Sequence, residues 1–184
     1  MSELQESGFV EQTDGDRMYR LGPQVLRLAA LREAAVPILS VSRRVLRDLS
    51  DETGETTHLS LLQGSQLNSL SHAYSPRHAT KVMMEDAEVL TFHGTSSGLA
   101  VLAYADPGFV EDVLAQPLKT HTPETITDPQ EIRAQLAEVR ATGLAQSIGG
   151  FEADVHSHAV PVFGPDRQVI GALAVAAPVS RMTP

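Results

Sequence analysis

Gly94-Thr95-Ser96-Ser97-Gly98 has the spacing G-x-S-x-G and lies between a short strand-prone run and a helix-prone one. A nucleophile elbow uses that spacing to present a serine hydroxyl at a tight strand-to-helix turn. Asp128 or Asp154, then His156 or His158, follow in the order that an acid and a general base would take in a small serine hydrolase. The same five residues also suit binding without chemistry, because free N–H groups at a helix start hold a carboxylate or phosphate. His156 and His158 stand two apart on a predicted strand and so share a face, with Glu152 and Asp154 close by. Imidazole and carboxylate donors of this kind can hold zinc with one position left open. No H-E-x-x-H or comparable spacing accompanies them, so a hydrogen-bonded pair of strand histidines is the simpler reading. Met83-Met84 suits either a core plug or the adaptable wall of a cavity.

Lys and Arg number 14 against 23 Asp and Glu, a formal charge of −9 over 184 residues. Affinity for nucleic acid comes largely from cations that displace counterions, so this stretch is expected not to hold DNA by itself. Three Tyr, five Phe and no Trp also leave few rings for base stacking. An apolar fraction of 42 % and a charged fraction of 20 % suit one folded domain with at most a partial second. The absence of cysteine excludes a disulfide framework, thiolate-held zinc and a cysteine nucleophile, and fits an intracellular protein. No apolar run approaches the roughly 20 residues that cross a bilayer, and Met1-Ser2-Glu3-Leu4 lacks a leader pattern. The expectation is a soluble, cytoplasmic chain with no membrane partner and no cofactor.

The elements that must position these groups follow from periodicity and punctuation. Gly8–Gln12 and Arg17–Leu21, joined at Asp14-Gly15, read as a hairpin too small to stand alone, the remnant of a larger unit upstream. Pro23 opens a short, largely apolar connector helix with Val25, Leu26, Leu28 and Leu31. Pro37 opens a second helix through about Leu49, with Ile38, Val41, Val45, Leu46 and Leu49 as the stripe that faces a core or a partner. Thr57–Leu62 and Leu67–His72 read as a hairpin with one wet and one buried face. Tyr74–Asp86 reads as a loop, Val89–Phe92 as a short strand, and Ser96 or Ser97 as the cap of a helix that Asp106-Pro107-Gly108 stops. Asp128 caps a helix over Pro129–Thr142 whose buried face is Ile132, Leu136 and Val139 and which Gly143 ends. Leu144–Ser147, His156–Phe163 and Gln168–Ala176 are predicted strands. The fold class is therefore α+β, an antiparallel sheet flanked by helices, whereas a hydrolase elbow sits in a mainly parallel sheet.

The ordered set of motifs resembles the IclR family of bacterial transcription regulators. The matching pieces are Gly8-Phe9-Val10 with Tyr19-Arg20-Leu21-Gly22, then Thr53-Gly54-Glu55-Thr56, then Thr95-Ser96-Ser97-Gly98. They continue with Thr122-Pro123-Glu124-Thr125-Ile126-Thr127-Asp128, Arg140-Ala141-Thr142-Gly143, and Ala159-Val160-Pro161-Val162 through Pro178 and Arg181. The resemblance implies that residues 1–22 are the remnant wing of a winged helix-turn-helix, 23–35 a linker helix, and 36–184 a GAF-like or PAS-like effector-binding domain without the family's usual C-terminal helix. It also implies a homodimer or homotetramer that binds DNA through the N-terminal domain, mostly absent here. A small organic effector would modulate that binding, and no catalysis is expected.

By position, the resemblance places effector contacts at Leu90, Ser96, Ser97, Ser147, Val155, Ser157, Ala174 and Ala176, to which Met84 and His158 are added as a wall and a polar contact. Ser147-Ile148-Gly149-Gly150 stands where relatives carry acidic residues, and Ala174 and Ala176 where some carry hydroxyls. Those departures imply a roomier, more apolar cavity with an anion-friendly end at Ser96 and Ser97. An aromatic carboxylate suits that cavity better than a very small keto acid.

Overall fold

The computed structural model describes residues 2–13, 18–85 and 88–182. The chain divides into two compact units, Met1–Val41 and Ser42–Pro184. The first holds α1 (Ser2–Glu6), the paired strands β1 (Val10–Gln12) and β2 (Tyr19–Leu21), and α2 (Pro23–Ala35). The antiparallel register joins Val10 to Leu21, as expected for a hairpin, while the Asp14-Gly15 turn lies outside the described residues. Helix α1 is a departure, since residues 2–6 carry no strong helix signal. Proline at the first helical position opens α2, and none of its residues is buried within this chain.

Helix α3 (Ile38–Thr53) crosses the boundary between the units. It is one turn longer than predicted, and its buried positions are Ser42, Leu46 and Ser50. Val41 and Val45, in the stripe expected to face a core or a partner, are exposed within this chain. Hydroxyl contacts hold the buried side: Ser50 donates to the Glu55 carbonyl at 2.7 Å, and Thr57 donates to the Leu46 carbonyl at 2.8 Å.

The second unit is built on a six-stranded antiparallel sheet in the order β5-β4-β3-β8-β7-β6. Its strands are β3 (Thr56–Gln63), β4 (Gln66–Ala73), β5 (Val89–Leu90), β6 (Ala145–Ile148), β7 (Val155–Phe163) and β8 (Val169–Pro178). Strand β5 is two residues long rather than four, since the chain turns at Thr91 toward α4. Helices α4 (Ser96–Tyr104), α5 (Pro107–Leu114) and α6 (Pro129–Thr142) complete the unit. The sequence reading missed α5. Asp106-Pro107 opens a helix instead of only ending one, because Asp106 accepts a hydrogen bond from the Gly108 N–H and Pro107 occupies the first turn.

Nearly every residue of α4 is buried, and Leu99, Leu102, Ile132, Leu136, Ala145, Ala159, Ala172 and Ala174 share one core. The small residues of β7 and β8 let this helix approach the sheet closely. Gly98 is required for the same reason: a Cβ there would lie 2.6 Å from the Phe92 carbonyl carbon. Strand β3 contradicts the expectation of one wet face, because Thr56 through Ser60 are all buried. Its polar positions Thr56, His58 and Ser60 share the face under α4, where His58 meets Ser97, and Thr57 on the other face donates to the Leu46 carbonyl of α3.

Candidate functional site

The register sets one row of side chains across the sheet: Thr56, Ala176, Ser157 and Ser147 are paired in sequence from β3 to β6. Alternation along the strands puts His58 on the same face one step further along β3. The N-terminus of α4 lies over this row. Thr95, not Ser96 or Ser97, is the cap, and its hydroxyl accepts from the Gly98 N–H at 3.0 Å. Ser96 and Ser97 therefore occupy the first turn, where N–H groups have no intrahelical acceptor, and each is only 1 % exposed.

The hydroxyls at this end are held by the protein itself. Ser96 donates to the Ser157 Oγ at 2.8 Å, Ser147 donates to the Gly94 carbonyl at 2.9 Å, and Ser97 Oγ lies 3.2 Å from His58 Nε2. His58 is completely enclosed, and burial, with His72 as a lesser repulsive neighbour, pushes its pKa from 6.5 to about 4. The imidazole is neutral at pH 7, and its Nδ1 has no hydrogen-bond partner among the described residues.

The Thr122-Pro123-Glu124-Thr125 stretch fixes the loop after β6. Thr122 donates to the Gly149 carbonyl at 2.5 Å and Thr125 to the Gly150 carbonyl at 2.7 Å. Gly149 adopts φ 68°, a conformation other residues rarely take. This loop carries Phe151 and Glu152 to the site. The opposite wall, Val82 to Met84, hangs on Thr56 Oγ1 donating to the Val82 carbonyl at 2.8 Å and on the Met84 N–H donating to the Tyr74 hydroxyl at 3.0 Å. Arg181 ties the same segment to the end of the sheet, meeting both oxygens of Glu55 at 2.6 and 2.7 Å and the Thr80 carbonyl at 2.9 Å.

These elements enclose a cavity of about 50 Å³. Of the positions expected from the sequence, Met84, Leu90, Ser96, Ser97, Ser147, Val155, Ser157 and Ala176 line it together. Ala174 does not: it sits one step further along β8, paired with His58 and Ala159, inside the core under α4. His158 does not either, because strand alternation turns it to the face opposite Ser157, where its ring lies 4.8 Å from that of His156. Burial lowers its pKa, with His156 adding to the effect. Met83 and Thr95, from segments already read as a cavity wall and a binding loop, also line it, and His58, Val82, Glu88, Phe151 and Glu152, which were not anticipated as ligand contacts, complete the lining. The space is tighter than the small side chains of β8 suggest, and Met84 and Phe151 share its lining.

The triad order read from the sequence is not assembled. Ser96 bonds Ser157, and His156 lies across the sheet with its Nε2 2.7 Å from Gln146 Nε2. The histidine that does meet a serine, His58, has no carboxylate at its other nitrogen. No group of three or more potential metal ligands occurs among the described residues, and no described helix is long and apolar enough to cross a membrane.

A curled antiparallel sheet with a capped helix start over an enclosed, mostly apolar cavity defines a small-molecule-binding domain. A family model described as the C-terminal region of the bacterial transcriptional regulator IclR matches residues 31–184. This chain belongs to the IclR family of bacterial transcription regulators and carries that family's effector-binding domain. It is 29 % identical over 182 residues to the glycerol operon regulatory protein of Streptomyces coelicolor, covering 97 % of this chain and 70 % of that one. A crystal structure of a protein assigned as an IclR transcriptional regulator from Silicibacter sp. TM1040 is 80 % identical, with a TM-score of 0.97 over 100 % of this chain and 72 % of that one. An IclR homologue from Microbacterium hydrocarbonoxydans, solved in complex with 4-hydroxybenzoate, is 28 % identical with a TM-score of 0.83, covering 99 % of this chain and 75 % of that one.

Proposed function

We propose that this cavity is the effector site of the regulator and that the effector is a small organic acid with an apolar, aromatic body. The observation that carries the reading is the pair of first-turn N–H groups at Ser96 and Ser97, free of intrahelical acceptors, on two buried residues that line the cavity. Such a helix start holds a carboxylate through its N–H groups and the helix dipole. Leu90, Val155, Ala176 and Met84 then take the body of the ligand, with Ser147 and Ser157 as polar contacts. The 4-hydroxybenzoate complex of the Microbacterium homologue supports this chemistry. The enclosed space is smaller than the roughly 150 Å³ of a benzene-sized cavity, so an aromatic acid enters as the Met83-Met84 wall yields.

In this reading residues 1–22 are the end of a winged DNA-binding domain, 23–35 a linker helix and 36–184 the sensor. The intact regulator is a cytoplasmic homodimer or homotetramer without catalytic activity. An effector regulates only if it binds two arrangements with different affinity, and the helices from Pro23 and Pro37 are the proposed lever. A thermal-shift screen of aromatic and aliphatic acids tests the site. A ligand at about 100 times its Kd adds roughly 2.7 kcal/mol, and an Ala176→Leu variant that keeps its fold, its side chain filling the space proposed for the ligand body, loses most of that gain. No stabilisation by any acid in the panel overturns the reading. Unchanged linker hydrogen exchange in the full-length protein at saturating effector would overturn the lever.

A further inference from the structure

The stretch 78–84, whose far end walls the cavity, belongs to no helix or strand, and none of its residues makes a backbone–backbone hydrogen bond among the described residues. Side chains hold it instead. The Met84 N–H donates to the Tyr74 hydroxyl at 3.0 Å, Arg181 donates to the Thr80 carbonyl at 2.9 Å, and Thr56 Oγ1 donates to the Val82 carbonyl at 2.8 Å. Val82 and Met83 line the cavity and also an open groove of about 480 Å³, so this wall is a partition between two spaces. The ties from Arg181 and Thr56 lead on to α3. Arg181 also meets both oxygens of Glu55 at 2.6 and 2.7 Å, and the Glu55 carbonyl accepts from Ser50 of α3 at 2.7 Å. Thr57, which alternates to the face opposite Thr56, donates to the Leu46 carbonyl of α3 at 2.8 Å. Ser50, Glu55, Thr56 and Thr57 are all buried. Buried polar side chains stabilise a corner only while each of their bonds is made.

Resting on the effector reading above, we propose that Glu55, Thr56 and Thr57 are the joint that couples the cavity wall to α3, so that wall and helix are held together and released together. An effector that displaces the wall breaks the bonds from Thr56 and Arg181. Those bonds orient the same short backbone that anchors Ser50 and Leu46, and α3 loosens with them. Coupling of this kind runs through contiguous hydrogen bonds between packed elements. It is also reciprocal: a change that frees α3 must free the wall. The joint is thus the first step between the effector site and the helix by which the chain enters the sensor.

The test crosses the joint in both directions on the ligand-free chain. Thr56→Val removes the hydrogen bond to the wall, and the reading is taken on α3, as amide hydrogen exchange over residues 46–53. Thr57→Val removes the hydrogen bond to α3, and the reading is taken on the wall. The chain has no cysteine, so Val82→Cys places a single thiol at a wall position that is 8 % exposed, and its rate of reaction with a thiol reagent reports opening. Each threonine variant is expected to speed the reading on the far side by roughly fivefold, the factor that one lost hydrogen bond is worth. Exchange in α6, which none of these bonds touches, stays unchanged. If either threonine variant does not fold, Arg181→Gln cuts the wall side and Ser50→Ala the α3 side, with the same expectation. Effects confined to the side that was cut, or an acceleration that α6 shares in full, overturn the joint. No ligand enters this test, so its failure leaves the effector reading standing, and a failed acid screen overturns the effector reading without altering these rates.

Discussion

The buried imidazole of His58 makes a quantitative demand on stability. Its pKa is about 4 in the folded chain against 6.5 for an ordinary histidine. Between those values the unfolded chain binds a proton that the folded chain refuses, so stability rises with pH and is lost as pH falls through 6.5 toward 4. Integrating over that window, the site removes about 2 kcal/mol between pH 7.5 and pH 5, and about 3 kcal/mol once the folded group is also protonated. His58→Gln retains a polar partner for Ser97 without the titration. The measurement is the unfolding of wild type and variant at pH 7.5, 6 and 5. At pH 7.5 the variant is the less stable, and the gap closes by about 2 kcal/mol at pH 5, equivalent to roughly 4–8 °C in Tm for a domain of this size. Burial of His121 and His158 also lowers their pKa values, so the wild-type acid limb alone does not isolate His58; the difference between the proteins does. A gap that stays constant from pH 7.5 to 5 would falsify the assignment of a neutral, enclosed imidazole.

Gly98→Ala drives a methyl group into the Phe92 backbone and is expected to lower stability by about 1–3 kcal/mol or more, read as a fall in Tm; an unchanged Tm refutes the close approach. Arg181→Ala removes the fork to Glu55 and the bond to Thr80, with an expected loss of roughly 1–3 kcal/mol. The check is a double-mutant cycle with Glu55→Gln, in which the two losses fail to add if the side chains interact as described. Ester turnover and labelling by an organophosphonate should be absent from the wild type, and Ser96→Ala should change neither. Labelling that disappears on Ser96→Ala would revive the hydrolase reading.

Much of the fold was legible because its punctuation is local. Helix α6 begins and ends where Asp128, Pro129 and Gly143 place it, with Gly143 at φ 77°. The same signal misled at Asp106-Pro107-Gly108: proline after a capping aspartate marks a start as well as a stop, and the short α5 offers too few apolar repeats to decide between them. On α3 the buried Ser42 and Ser50 went unread, since serine and threonine contacts are invisible to a search for apolar stripes. Seven of the eight positions that came from the family resemblance, together with Met84, converge on one space. His158 and Ala174 fail for geometric reasons, strand parity for one and distance along the strand for the other. His58 was missed because a polar position alternating along β3 reads as solvent-facing until α4 is known to cover that face. Phe151, Glu152 and Glu88 come from irregular segments whose path no periodicity reports.

The two ends of the cavity differ in how firmly they are built, and that difference assigns their tasks. At the α4 end each hydroxyl has an internal partner: Ser96 with Ser157, Ser97 with His58, Ser147 with Gly94. These side chains are oriented before any ligand arrives, so little ordering entropy opposes binding there. What they leave open is a small set of fixed groups, the first-turn N–H groups and the neutral imidazole, which discriminate by geometry. The facing wall is held by a few hydrogen bonds at Val82, Met84 and Thr80, and it ends in two methionines whose flexible thioethers repack at low cost. In the effector reading proposed above, selectivity for the polar head of a ligand belongs to the rigid end and tolerance for the shape of its body to the yielding one.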